Sequence, residues 1–297
     1  MSEIIGIDIG GTNFRIGIAD GSGNVSDFRK VSVKSVLKSA DVLKDIAGYI
    51  SSYAGGRVYD AVAIGFPATL NRERTRILQA PNLPFMENLP VTEYLSAALG
   101  VPVFAERDVT FALYYDMMKY GVPHEGITCG IYFGTGIGNA IMFDGVPLPG
   151  RNGAAGELGH IPVDGSDEPC GCGLTGCMEN LAGGKYLARL QREVWPETDI
   201  ADTFTLHGDD VRIAEYISRM AMCISAEVNI LDPDYVIVGG GVPDMKGFPR
   251  EALHREIIAH TRKPLPAGNL RVIYADDEPG KCVAGAGYYA CDRMIGW

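Results

Sequence analysis

Two stretches of this chain, Ile5 to Gly21 (IGIDIGGTNFRIGIADG) and Cys129 to Gly145 (CGIYFGTGIGNAIMFDG), can be laid over one another without a gap, and this pairing narrows the possible folds most. Gly6, Gly10 and the Asp20-Gly21 turn fall on Gly130, Gly134 and Asp144-Gly145, among five identities in seventeen positions. Each copy reads as a strand, a glycine turn and a returning strand. A unit repeated at constant offset implies a duplicated domain. Each lobe then presents a glycine turn at the end of a buried strand, an arrangement suited to holding a polyphosphate between two sets of backbone N–H groups. A nucleotide is the expected ligand.

The rest of the chain agrees with two lobes. Its 297 residues, 46% of them hydrophobic, provide for two modest cores and exceed a typical single one. Strand and helix signals alternate with short turns and no low-complexity linker, which is an α/β pattern. EIIGIDIGG and FRIGIADGSGN read as strands, with a third near Arg29 to Val33. Asp41 to Tyr53 has helical spacing, AVAIGFP is a buried strand, Val91 to Leu99 a helix, VPVFAERD a strand and Val109 to Tyr120 a helix. After Pro123 the order begins again. The expected division is a smaller lobe over residues 1–118, joined by a C-terminal helix over 283–297, and a larger lobe over 119–282.

With 26 basic and 37 acidic residues the formal charge is -11, which argues against general affinity for DNA, RNA or anionic membrane and for a phosphorylated or neutral small molecule. The first apolar run, Ile4 to Ile9, has no basic leader and is too short to span a bilayer, so a cytoplasmic protein is expected. Seven cysteines are poor material for disulfides in a reducing compartment, where a tight cluster signals metal. His160, Cys170, Cys172 and Cys177 offer one imidazole and three thiolates, the tetrahedral set Zn²⁺ prefers. Four protein ligands leave no position for water, so the site reads as structural, clamping the loop Cys170 to Gly176; the alternative is a loop of reduced thiols. Cys129, Cys223, Cys282 and Cys291 sit in apolar or small-residue runs and read as buried fillers.

In DIGGTNFR, Asp8 ends a strand, Gly10 and Gly11 let the backbone approach phosphate oxygens, Thr12 can donate a hydroxyl, and Asp8 can hold Mg²⁺ directly or through water. A third glycine run, VIVGGGVP, follows another strand and could lie against a nucleoside; none of the three is a Walker loop. Transfer of a γ-phosphoryl group to a hydroxyl also needs a base. Asp108 in FAERDVTFAL stands where a strand passes into a helix, so helix capping alone accounts for it, and both roles fit one carboxylate. Asp116 lies inside that helix and Asp144 in a turn. Glu157 and Glu179 flank the zinc ligands, where held carboxylates suit sugar hydroxyls; the alternative is surface charge.

IGIDIGGTNFR, GTGIG, GELGH and CGCGLTGCME together resemble the ROK family of repressors, open reading frames and sugar kinases, within the actin-like ATPase superfamily, along nearly the whole chain. The resemblance implies a two-lobed actin-like fold, ribonuclease H-like and duplicated, with a zinc-bound loop in the larger lobe. It implies transfer of the γ-phosphate of ATP, with Mg²⁺, to a hexose hydroxyl. Asp8, Gly10, Gly11 and Thr12 look like the family's first phosphate loop, Gly134, Thr135, Gly136 and Gly138 like the second, and Gly239, Gly240 and Gly241 like the adenosine contact. Asp108 is similar to the family's base. Asn82 in APNLP, Glu157, His160 and Glu179 look like its sugar ligands, His160 also holding zinc. One departure stands out: the family usually has Asn immediately before the base, where this chain has Arg107, a candidate substrate contact that argues against glucose. GFPATLNRERTRILQAPNLP, the Arg-Asp pair, NILDPDYVIVGGGVPDMKGFPRE and RKPLP resemble the family's members that act on D-allose, so phosphorylation of D-allose at O6 is expected. Glucokinase, fructokinase and N-acetylmannosamine kinase activities are the alternatives. The family's repressors carry a helix-turn-helix ahead of the phosphate loop, and Asp8 stands too near the start of this sequence for one. The family commonly forms dimers, so a homodimer is expected.

Overall fold

Which strands are buried at every position decides the sheet order. The computed structural model describes residues 2–81 and 83–295. In the first unit β1 (Ile4–Ile9), β2 (Asn13–Ala19), β3 (Val25–Ser32) and β4 (Ala61–Phe66) are followed by a ribbon of β5 (Thr69–Leu70) with β6 (Ile77–Gln79), and by β7 (Val103–Arg107). Strands β1 and β4 are buried throughout, as strands covered on both faces must be, and they lie inside a sheet ordered β3-β2-β1-β4-β7. The β1–β2 and β2–β3 pairs are antiparallel, the β1–β4 and β4–β7 pairs parallel. Helix α1 (Val42–Ala54) leads into β4, and α2 (Val91–Leu99) into β7. Asp41 caps α1 by accepting the Lys44 N–H at 3.2 Å, and Gly55 ends it at φ 57°. Val42, Leu43, Ile46, Ala47, Ile50 and Tyr53 form its buried face.

The second unit repeats this plan. Strands β8 (Ile127–Phe133), β9 (Ile137–Phe143), β10 (Val146–Pro147), β11 (Tyr235–Gly239) and β12 (Val272–Tyr274) are ordered β10-β9-β8-β11-β12, again two antiparallel pairs and then two parallel ones. The duplication is therefore real, but the gapless overlay is not its register. Ile9 pairs with Phe14 across four turn residues, whereas Phe133 pairs with Ile137 across three. The returning strand is displaced by one residue, so Ile7 faces Ile16 while Ile131 faces Asn139, and Asp20-Gly21 and Asp144-Gly145 hold different places.

Helix α3 (Asp108–Lys119) follows β7 without a loop, and the second unit adds α4 (Gly184–Val194), α5 (Val211–Leu231) and α6 (Arg250–His260). Among the described residues no helix is long and apolar enough to cross a membrane. The first unit comprises the chain up to Val122, Pro149–Ala155 and the chain from Glu278; the second comprises Pro123–Leu148 and Gly156–Asp277. Segment Pro149–Ala155, which the sequence reading gave to the larger lobe, thus lies in the first unit, held by side chains described below. The C-terminal helix, Lys281–Ile295, begins two residues before the expected 283 and packs on α3 and β1. A Cβ on its Gly285 would stand 1.9 Å from the carbonyl oxygen of Phe111, and a Cβ on Gly6 2.5 Å from that of Val283. Asp116, fully buried, accepts from Lys281 Nζ at 2.9 Å, so it joins this helix to α3 as half of an interior ion pair.

The glycines supply a stability test. Gly285→Ala forces backbone apart and should cost about 1–3 kcal/mol or more in urea unfolding. Gly48→Ala, exposed in α1 with nothing within 4 Å of the new methyl, should stabilise by about 0.5–1 kcal/mol.

Candidate functional site

In the first unit the C-terminal ends of the parallel strands β1, β4 and β7 lie at one edge of the sheet, where ligand-binding residues of α/β sheets collect. Asp8, near the end of β1, is the cross-strand partner of Arg15, whose Nη1 donates to Asp8 Oδ2 at 2.6 Å. The glycine turn that follows is closed by Gly10 N–H donating to Asn13 O at 2.8 Å and anchored by Val33 N–H donating to Thr12 O at 2.9 Å; Gly11 and Thr12 are exposed. Asp108 follows β7. It is the first residue of α3 rather than its cap, a place taken by Arg107 with extended backbone, and its Oδ1 accepts the adjoining Val109 N–H at 2.8 Å. Burial above all, and then the negative charge of Asp8, push the Asp108 carboxyl up to about 7, against the opposing pull of the Val109 N–H, Arg107 and Arg15. A carboxyl with that value exchanges its proton near neutral pH, as a general base must.

Arg107 Nη1 donates to the Ala155 carbonyl at 2.8 Å, in segment Pro149–Ala155. Asn82 lies outside the described residues. Asp144 serves its turn, accepting the Gly126 N–H at 2.8 Å.

In the second unit the turn of residues 134–136, with Gly138 just inside β9, follows β8, and the run Gly239–Gly241 starts at the last residue of its parallel neighbour β11. The carbonyls of Gly134 and Thr135 accept N–H bonds from Gly184 and Lys185, each at 2.9 Å, so the start of α4 braces the turn from behind while Thr135 is exposed. Gly240, at φ 95°, lies so close to β8 that a Cβ would stand 2.7 Å from Phe133 O. The Gly183-Gly184 pair at the head of α4 went unread in the sequence, although Gly-Gly-Lys before a helical run was its signal. Glu179 takes a part the sequence did not suggest: its Oε2 accepts the Ile137 N–H at 2.9 Å, where a Cβ on Gly136 would come within 2.0 Å. Gly136 is glycine because Glu179 fills the space beside it.

Glu179 follows two residues after Cys177. The donor atoms of His160, Cys170, Cys172 and Cys177 all lie within 4.8 Å of one another. Cys172 Sγ and Cys177 Sγ are 3.6 Å apart, as are Cys170 Sγ and His160 Nδ1. Thiolates bound tetrahedrally at about 2.3 Å from zinc stand about 3.8 Å apart, whereas a disulfide needs about 2.05 Å, so the donors fit the ion. Burial and the neighbouring sulfurs push the Cys177 thiol up to about 12, a penalty on its thiolate that a divalent cation reverses. His160 Nε2 lies 3.7 Å from Glu157 Oε2, the carboxylate–histidine arrangement that orients a metal-bound ring. Of the four cysteines read as fillers, Cys129 and Cys223 are buried, but Cys282 and Cys291 are only half-buried.

The raised value of Asp108 has a consequence for stability. Between about 4, the unfolded value, and about 7 the native state holds a proton that the unfolded chain has lost, so this group's contribution falls as pH rises through that window. Asp108→Asn removes the penalty. In thermal melts its Tm relative to the parent should climb from pH about 5 to about 8; a constant difference would mean that Asp108 is an ordinary carboxylate.

The chain is similar to known proteins. The ROK family profile matches residues 4–293. The glucokinase of Streptomyces coelicolor is 30% identical over 269 residues, 82% of this chain and 83% of that one. The N-acetyl-D-glucosamine kinase of Escherichia coli is 30% identical over 280 residues, 87% of this chain and 91% of its own. Among solved structures, the ROK family glucokinase of Streptomyces griseus in complex with glucose and AMPPNP matches at a TM-score of 0.81 and 25% identity, covering 98% of this chain and 99% of that one. With matched residues running from β1 to the C-terminal helix, this chain belongs to the ROK family.

Proposed function

We propose that this chain is an ATP-dependent sugar kinase that phosphorylates D-allose at its 6-hydroxyl. The observation that carries the kinase reading is Asp108, a carboxyl pushed up to about 7 at the head of a helix beside Asp8, in a family whose similar members are named as glucokinases and N-acetyl-D-glucosamine kinases. The hexose hydroxyl gives its proton to Asp108 while its oxygen attacks the γ-phosphorus; the bond from that phosphorus to the β,γ-bridging oxygen breaks, and ADP leaves with the electron pair. Gly10, Gly11 and Thr12 in one unit, and Gly134, Thr135, Gly136 and Gly138 in the other, are the proposed phosphate contacts, with Gly239, Gly240 and Gly241 against adenosine. Asp8 would hold Mg²⁺, directly or through water, and the ion would supply charge neutralisation on the triphosphate. His160, Cys170, Cys172 and Cys177 would hold Zn²⁺, which would fix the run that carries Glu157 and Glu179. Glu157 and His160 are proposed sugar contacts; Glu179 acts partly by anchoring the turn of residues 134–136.

Arg107 supports D-allose over D-glucose. The resemblance places Asn there as a reader of a ring hydroxyl, with a donor and an acceptor, whereas Arg presents donors only and commits one to the Ala155 carbonyl. Allose is glucose inverted at C3, so a changed hydroxyl reader suits it. Glucose is the second reading, favoured by the named relatives.

ADP release against a hexose panel decides the substrate. D-allose should exceed D-glucose at least about tenfold in kcat/KM, equivalent to about 1.4 kcal/mol, and Arg107→Asn should narrow the gap. Preference for glucose would refute the allose assignment and leave the kinase intact. Asp108→Asn should lower kcat by at least about a hundredfold with ATP still bound. Purified protein should carry about one Zn²⁺ per chain, lost with activity in Cys172→Ala; full activity without metal would refute the zinc assignment.

A further inference from the structure

We propose that Arg74 is a positioning residue for hexose discrimination: with Arg107 it clamps the backbone of segment Pro149–Ala155 and so fixes the direction in which the chain enters Glu157. This rests on the reading of the chain as a hexose kinase. Arg74 belongs to the exposed loop between β5 and β6 and is the one buried residue from Asn71 to Arg76. The loop is built to turn it inward. Asn71 Oδ1 accepts the N–H groups of Thr75 and Arg76, each at 2.8 Å, the Arg74 N–H donates to Asn71 O at 2.9 Å, and the Arg74 backbone is left-handed at φ 58°, a strained conformation for a residue of this size.

Its guanidinium meets three partners, the weakest being the Leu70 carbonyl, to which Nη1 donates at 3.5 Å. Nε donates to Glu106 Oε2 at 2.9 Å, and Nη1 donates to the Gly153 carbonyl at 2.9 Å. Glu106 is 1% exposed and also accepts the Arg107 N–H on Oε1 at 2.8 Å, so one buried carboxylate organises both arginines. Arg107 then takes the Ala155 carbonyl at 2.8 Å, two residues beyond Gly153. The seat is close: a Cβ on Gly153 would stand 1.9 Å from Leu70 O. Gly156 and Glu157 follow directly in the chain and belong to the second unit. Two charge-assisted bonds to carbonyls two residues apart set both the place and the direction of a backbone, which one bond cannot do.

Arg74→Met strands Glu106 in the interior and can fail to fold, so Arg74→Met/Glu106→Leu, which removes both charges, is measured beside it. Hexose KM, the allose-to-glucose ratio of kcat/KM, and KM for ATP are read for both, with Arg74→Lys as the conservative variant. The expected result is a hexose KM raised at least about tenfold and a ratio shifted at least about threefold, ATP KM within about twofold of the parent, and partial recovery in Arg74→Lys. The Arg74→Met and Arg107→Met effects on the ratio should combine to less than their product, since they act on one segment. A folded variant with an unchanged ratio, or with equal losses toward ATP and hexose, would overturn the inference while the kinase reading stands. Absence of hexose phosphorylation by the unaltered protein would sink that reading, and the inference with it.

Discussion

Two carboxylates in one poorly solvated neighbourhood set the terms for the first unit. Asp8 and Asp108 reach it because β1, β4 and β7 are parallel and end at the same edge, so the last residues of β1 and the first of α3 stand together. Both cannot be ionised cheaply at close range. Arg15 bonds Asp8 at 2.6 Å, and Asp108 carries the proton into the neutral range. The head of α3 tempers the effect, since a helix N-terminus favours negative charge. The C-terminal helix, seated against α3 and β1 by glycines and the Lys281–Asp116 pair, holds these elements in place.

The second unit uses the same sheet for another end. Its hairpin turn is one residue shorter, and no ion pair of the Asp8–Arg15 kind stands at the equivalent rung, where Tyr132 faces Gly138. There the glycine turn is held from outside, by α4 on its carbonyls and by Glu179 on the Ile137 N–H. Because Cys177, Met178 and Glu179 are consecutive, the Cys₃His cluster and the glycine turn are linked through one short run of chain. A change at the cluster therefore has a short route to the turn, through Glu179.

Much of this was legible because it is local. The Val91–Leu99 helix, the buried strand of AVAIGFP and the cluster of His160, Cys170, Cys172 and Cys177 need only neighbouring residues to be read. The repeat was also visible, but its register was not, since matching glycines do not reveal that one turn holds four residues and the other three. What escaped lies in long-range pairs. Glu179 meets Ile137 across 42 positions, and Arg107 meets Ala155 across 48. Nothing in either neighbourhood announces the partner. Arg74 was hidden twice over, as one basic residue among three in a polar loop and as a left-handed residue that no local rule requires.

The central claim is that burial and the Asp8 charge together lift Asp108, and the carboxyl can be observed directly. With aspartate carboxyl carbons labelled and followed by NMR as pH is varied, Asp108, assigned through Asp108→Asn, should titrate near 7. In Asp8→Asn the same resonance should move lower while staying above the ordinary carboxylate range, because burial is the larger cause. A titration near about 4 in the parent protein, or one unmoved by Asp8→Asn, would contradict the account.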